Sequence, residues 1–227
     1  MRNALIFLGI AAFLFLMFSI NSTAHADKWE DLIIESSKVV DEINSAPDAA
    51  IPKDLLKGCK AVAIFPSTVG GGFIIGAKYG QGVIVCRNGY SWSPPAVFNI
   101  SGASIGWQIG GQASDIALLI MNKRGLDGLI QSKLTLGGDA SVAAGPVGRE
   151  AQVGMDLQLK GGIFSYSRSR GAFAGLRLEA AVISQNEQAN KALYKGNFSA
   201  EEILREEKVR STPAGSVPIR TLNKYCR

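Results

Sequence analysis

Histidine is nearly missing from this 227-residue chain. The one copy, His25, sits in Ala24-His25-Ala26 at the end of an apolar stretch. Arg2, the apolar run from Ala4 to Ile20 and the small residues Ala24 and Ala26 read together as an export signal over residues 1–26. Cleavage after Ala26 leaves a working chain without imidazole, which excludes histidine as base, acid or metal ligand. The apolar run falls short of the about 20 residues that a spanning helix needs. Asp27 rather than cysteine follows the small-residue site, so the lipidated-cysteine signal is missing. The expectation is a periplasmic or extracellular protein, with peripheral membrane association left open.

Cysteine is scarce too. Cys59, Cys86 and Cys226 show no C-x-x-C spacing, and no metal site or cofactor motif is expected. In an oxidising compartment two of the three can pair, and the sequence leaves all three pairings open. Buried small hydrophobes are the other reading of Cys59 and Cys86. The hydrolase-like string Gly102-Ala103-Ser104-Ile105-Gly106 lacks the histidine base its chemistry needs, and strand-like sequence flanks it. The clusters Gly70-Gly71-Gly72 and Gly110-Gly111 fit neither dinucleotide nor P-loop patterns, so they read as turns and strand bends. These absences point away from an enzyme.

Charge is thin and unevenly placed. Residues 27–57 carry four lysines against eight acids, whereas residues 58–178 carry eleven Lys/Arg against five acids. A basic body behind an acidic leading segment fits an anionic partner, and ordinary solubility charge is the competing reading. The cations are scattered, with no interleaved aromatic platform, so nucleic acid is not expected.

What is present is glycine and apolar periodicity. Trp29, Leu32, Ile33, Ser36, Val40 and Ile43 recur at spacings of three and four, which predicts an amphipathic helix opened by Asp27. Pro52 opens a short second helix ending at Gly58, so helices are expected within 28–57. Of 26 glycines, 23 lie between Gly58 and Gly175, among short apolar and β-branched runs. Asn88-Gly89 is a hairpin signal, and Pro94-Pro95 marks a connection or sheet edge. A short helix over Arg124 to Gln131 interrupts the strands. Near-continuous apolar strands have both faces covered, which favours a closed structure. The predicted fold is therefore α+β: an antiparallel β-barrel or sandwich of many short Gly-rich strands over 59–184, with N-terminal and C-terminal helices packed on it. Ser199 and Glu202 form a capping box for a C-terminal helix, and Ser211 to Arg227 reads as an extended tail. The division is a leader at 1–26, a domain at 27–198, and a C-terminal helix and tail at 199–227.

Four long segments resemble the SYLF-domain family, a lipid-binding domain also known from yeast actin regulators. They are IPKDLLKGCKAVAIFPSTVGGGFIIGAKYGQGVIVCR, WSPPAVFNISGASIGWQIGGQASDIALLIMN, LTLGGDASVAAGPVGR and YSRSRGAFAGLRLEAAVI, running from about Ile51 to Gly196. Cys59 stands where alanine is usual. The resemblance implies a β-rich, non-enzymatic domain that binds anionic lipid. Phosphoinositides and actin are ligands of eukaryotic members only, and an exported chain would not meet them.

Candidate lipid-binding residues are Lys123 and Arg124 in an expected loop, Arg149 after a Gly-Pro-Val-Gly turn, and Arg168 and Arg170 in SRSRG. Solvent-facing strand residues are the alternative for the last pair. Trp29 joins the set if the first helix lies in a membrane interface. That helix carries an acidic polar face, however, which favours packing of its stripe onto the sheet. Two functions stay open: an envelope lipid-binding module with an anionic membrane partner, and a structural or protein-interaction module of the envelope.

Overall fold

The computed structural model describes residues 27–45, 50–72, 75–105, 112–131, 133–147, 162–169, 172–175, 178 and 180–226. Residues 1–26, where a leader is expected from the sequence, and Arg149 and Arg170 lie outside them. Helix α1 covers 27–45. Its stripe is buried as the periodicity predicts, with Ile33, Val40 and Ile43 fully or almost fully enclosed, worth about 2 kcal/mol apiece. Two serines on the buried side are satisfied within the helix: the Ser36 hydroxyl donates to Leu32 O (2.8 Å) and that of Ser37 to Ile33 O (3.0 Å). Helix α2 (Lys53–Gly58) follows, capped at its C-terminal end by Arg87. The Arg87 Nη2 donates to Leu56 O (2.8 Å) and its Nε to Cys59 O (3.2 Å), placing positive charge on the negative end of the helix.

Ten strands follow among the described residues: β1 (Ala61–Gly72), β2 (Ile75–Asn88), β3 (Ser91–Trp92), β4 (Ala96–Ile105), β5 (Gln112–Ile120), β6 (Lys133–Thr135), β7 (Val142–Ala144), β8 (Ile163–Ser169), β9 (Ala172–Gly175) and β10 (Ala181–Gln185). Between them lie α3 (Lys123–Ile130), and after them α4 (Glu187–Tyr194), α5 (Ala200–Leu204) and α6 (Ser216–Tyr225). The sheet order is β6-β10-β4-β2-β1-β5-β8-β7, antiparallel except for the parallel pair β7–β8.

Alternate strand residues feed two apolar layers. Ala63, Phe65, Ile84, Phe98, Ile100, Ile116 and Leu118 point to the concave side, where α3 and α5 close over them. Val62, Ile64, Val85, Leu119, Phe164 and Tyr166 point to the convex side, under α1, α2 and α6. The expected α+β fold is there, as one many-stranded, mostly antiparallel, curled sheet with helices on it. The strands are apolar on both faces because helices cover both, α3 and α5 on one and α1, α2 and α6 on the other. Among the described residues, no pairing joins β6 to β7 and no second sheet covers the first.

A bulge in β1 sets the curl. Between Phe65 and Thr68 the strand has one residue more than its partner β5, and it has the same excess over β2. Pro66 sits in the bulge, where it has no ladder bond to forfeit. Ser67 takes a positive φ of 48°. The extra backbone presses onto β2 at Gly82, where a Cβ would fall on the Ile64 carbonyl oxygen and within 2.7 Å of Phe65 Cα. Only glycine fits there.

Several local signals are realised. Gly89 (φ 62°) and Tyr90 form the two-residue turn between Asn88 and Ser91. Ser104 lies inside a strand, paired with Gly76. The capping box forms at Ser199 and Glu202. Bonds from the Ser199 backbone N–H and from Lys208 hold the Glu202 carboxyl down at about 2. The tail does not follow expectation. Residues from Ser216 to Tyr225 are helical, and Leu222 is fully buried beside Val40, Leu55 and Leu56. The Tyr225 hydroxyl (2.8 Å) and Lys224 Nζ (3.1 Å) both donate to Asp41 of α1. Tertiary packing makes this helix, not its local sequence.

Candidate functional site

Of the residues singled out from sequence, Trp29 and Arg168 serve the fold. Trp29 is 6% exposed and packs with Ile33, Val83, Val97 and Ala189. The α1 stripe thus meets the sheet, and the indole is not offered to a membrane interface. Arg168 pairs with Asp115 across β5–β8. Its Nε donates to Asp115 Oδ2 (2.8 Å), and its Nη1 pairs with Glu42 of α1. Asp115 also accepts the Ser67 N–H of the bulge (2.9 Å). The guanidinium is therefore engaged by Asp115 and Glu42 within the fold.

This three-residue tie has a measurable weight. Asp115→Ala orphans the Ser67 N–H and removes one of the anions facing Arg168. It is expected to cost about 2 kcal/mol, read as a lower urea midpoint. Glu42→Gln, at the half-exposed partner, should cost under about 1 kcal/mol. Equal costs would show that the tie does not run through Asp115.

Lys123 and Arg124 remain exposed, but they stand on a helix and not in a loop. They occupy the first turn of α3, where the Asn122 side chain accepts the Gly125 N–H (2.8 Å) as N-cap. The fold brings two further cations to this end of the sheet. The Lys60 N–H donates to Ile120 O (2.7 Å), extending the Ala61–Ile120 pairing. Lys60 and α3 therefore leave the sheet edge side by side. Gly58 approaches Met121, which brings the last turn of α2, with Lys57, to the same edge. Lys57, Lys60, Lys123 and Arg124 are all exposed, and none has an ion-pair partner among the described residues. The nearby Asp127 is engaged by Arg205. Sequence reasoning missed Lys57 and Lys60, because some sixty residues separate them from Lys123 and only strand register unites them.

A second concave feature lies away from this end. A groove of about 530 Å³ is lined by Lys28, Tyr79, Gln81, Asn99, Asn186 and Glu187, among others. Its amides are bound to one another, with Asn99 Oδ1 accepting from Asn186 Nδ2 at 3.0 Å. Asp27, Asp31 and Glu35 flank the adjoining hollow. The charge here opposes an anionic ligand.

The described fold is thus a curled, mostly antiparallel sheet with helices packed on it and a set of exposed cations at one end. The chain belongs to the Ysc84 family, the family of the SYLF resemblance, whose sequence model, described as Las17-binding protein actin regulator, matches residues 101–225. Relatives include an SH3 domain-containing protein of Schizosaccharomyces pombe, 34% identical over 178 residues, covering 76% of this chain and 41% of the relative. The human SH3 domain-containing YSC84-like protein 1 is 31% identical over 187 residues, 81% of this chain and 54% of the relative. LAS seventeen-binding protein 3 of Saccharomyces cerevisiae is 34% identical over 171 residues, 74% and 37% of the two chains. The chain thus spans about half or less of the length of these relatives.

Proposed function

We propose that the chain is a non-catalytic module of the cell envelope that docks on anionic phospholipid through the cationic end of its sheet. The observation that carries this reading is the set Lys57, Lys60, Lys123 and Arg124: four exposed cations gathered from two segments, without ion-pair partners among the described residues. Cations left unpaired at one end of a fold attract a negative surface at about 1 kcal/mol each. The SYLF resemblance, which implies an acidic-lipid ligand, supports the same reading. The relatives' names tie them to Las17 and actin regulation. An exported chain would meet neither, so lipid is the ligand proposed.

Co-sedimentation with vesicles tests it. Vesicles containing phosphatidylserine should retain the chain at low salt and release it at high salt, whereas phosphatidylcholine vesicles should not retain it. Equal retention on both would remove the lipid reading and leave an envelope protein-interaction module.

A further inference from the structure

We propose that Cys59 and Cys226 form a covalent modification site, a disulfide that fastens the C-terminal helix α6 to the junction of α2 and β1. Both thiols point at one atom. Cys59 Sγ donates to Leu56 O at 3.1 Å, and Cys226 Sγ approaches the same oxygen at 3.6 Å. Two sulfurs on one acceptor are neighbours, although 166 residues of sequence lie between them. Each cysteine is also the C-cap residue of its helix, α2 for Cys59 and α6 for Cys226, so the bond would tie two helix ends together. Both belong to the convex apolar layer. Cys86 belongs to the concave layer, with the sheet between it and the Leu56 oxygen that the other two thiols approach. The fold thus selects one pairing of the three that the sequence leaves open.

The order of events follows from access. Cys59 has no exposed surface, and burial pushes its thiol up to about 12, so it stays protonated. Cys226 is partly exposed and reacts first. Its thiolate attacks a small-molecule or protein disulfide, forming a mixed disulfide and expelling one thiol. The Cys59 sulfur then attacks the Cys226 sulfur, and the second thiol leaves as a thiolate that takes up the Cys59 proton. Two protein thiols are oxidised to one disulfide, and the incoming disulfide is reduced to two thiols.

Incubation of the reduced chain with oxidised glutathione, followed by peptide mass mapping and thermal melts, tests the assignment. The expected result is a linked Cys59–Cys226 peptide and a rise in Tm on the order of 10 °C, because the closed loop spans most of the chain. Cys86→Ser should retain both effects. Cys226→Ser should lose both while keeping the Tm of the reduced chain, a control that leaves buried Cys59 untouched. The proposal is overturned if both thiols stay free, if Cys86 is the partner found, or if links form only between separate copies. A linked peptide with no rise in Tm overturns the fastening role.

Discussion

Gly82→Ala is expected to cost about 3 kcal/mol and to lower Tm by about 6–12 °C. The added methyl group meets backbone, namely the Ile64 carbonyl oxygen and Phe65 Cα, as well as Cδ1 of the fully buried Phe65 ring, which has little room to turn away. Relief requires the β1 bulge to lift away from β2. That movement would disturb Phe65 in the concave layer and the Ser67 N–H bond to Asp115 together. Gly58→Ala supplies the contrast. Its methyl group would meet only Met121 Cε, at 3.7 Å, and alanine is the better residue in the last turn of a helix. That variant should melt at or slightly above the parent temperature. If the two variants melt alike, the bulge does not press on β2 and the curl needs another origin.

The second large effect concerns binding. Neutralising Lys57, Lys60, Lys123 and Arg124 removes about 4 kcal/mol of attraction to an anionic surface, on the order of a thousandfold in partitioning. The combined variant Lys57→Glu, Lys60→Glu, Lys123→Glu and Arg124→Glu should bind phosphatidylserine vesicles no better than phosphatidylcholine ones. All four residues are exposed, so Tm should change little. Lys38→Glu, Lys191→Glu, Arg210→Glu and Arg220→Glu together, four exposed cations elsewhere on the fold, make the same change in net charge and should reduce binding only modestly. Equal losses in the two variants would mean that the vesicles respond to overall charge, and the cationic end would lose its special standing.

The parts of the fold legible in the sequence are those governed by neighbouring residues. The α1 stripe follows a helical period, the Asn88-Gly89 turn is set by two residues, and the Ser199–Glu202 box spans four. Long-range pairing hides the rest. Apolar residues on both faces of a strand are compatible with closure or with helical cover, and the spacing alone does not separate the two. The α6 helix begins behind Pro213 and Gly215 without a side-chain cap, so local propensity argues against it. Burial of Leu222 overrides that propensity. At the candidate site, Lys123 and Arg124 were legible as adjacent cations. Lys57 and Lys60 became their neighbours only through the register of β1 on β5. The pairing of Arg168 was not legible, because its partner, Asp115, lies 53 positions earlier in the chain.

The pairing of α1 with α6 has a consequence for biosynthesis. Val40 and Ile43, among the first residues of the domain to leave a ribosome, share an apolar layer with Leu222, among the last. Until α6 is made, that layer has an open side, and contacts between such distant positions are slow to form. A nascent chain built this way stays short of its final packing throughout elongation.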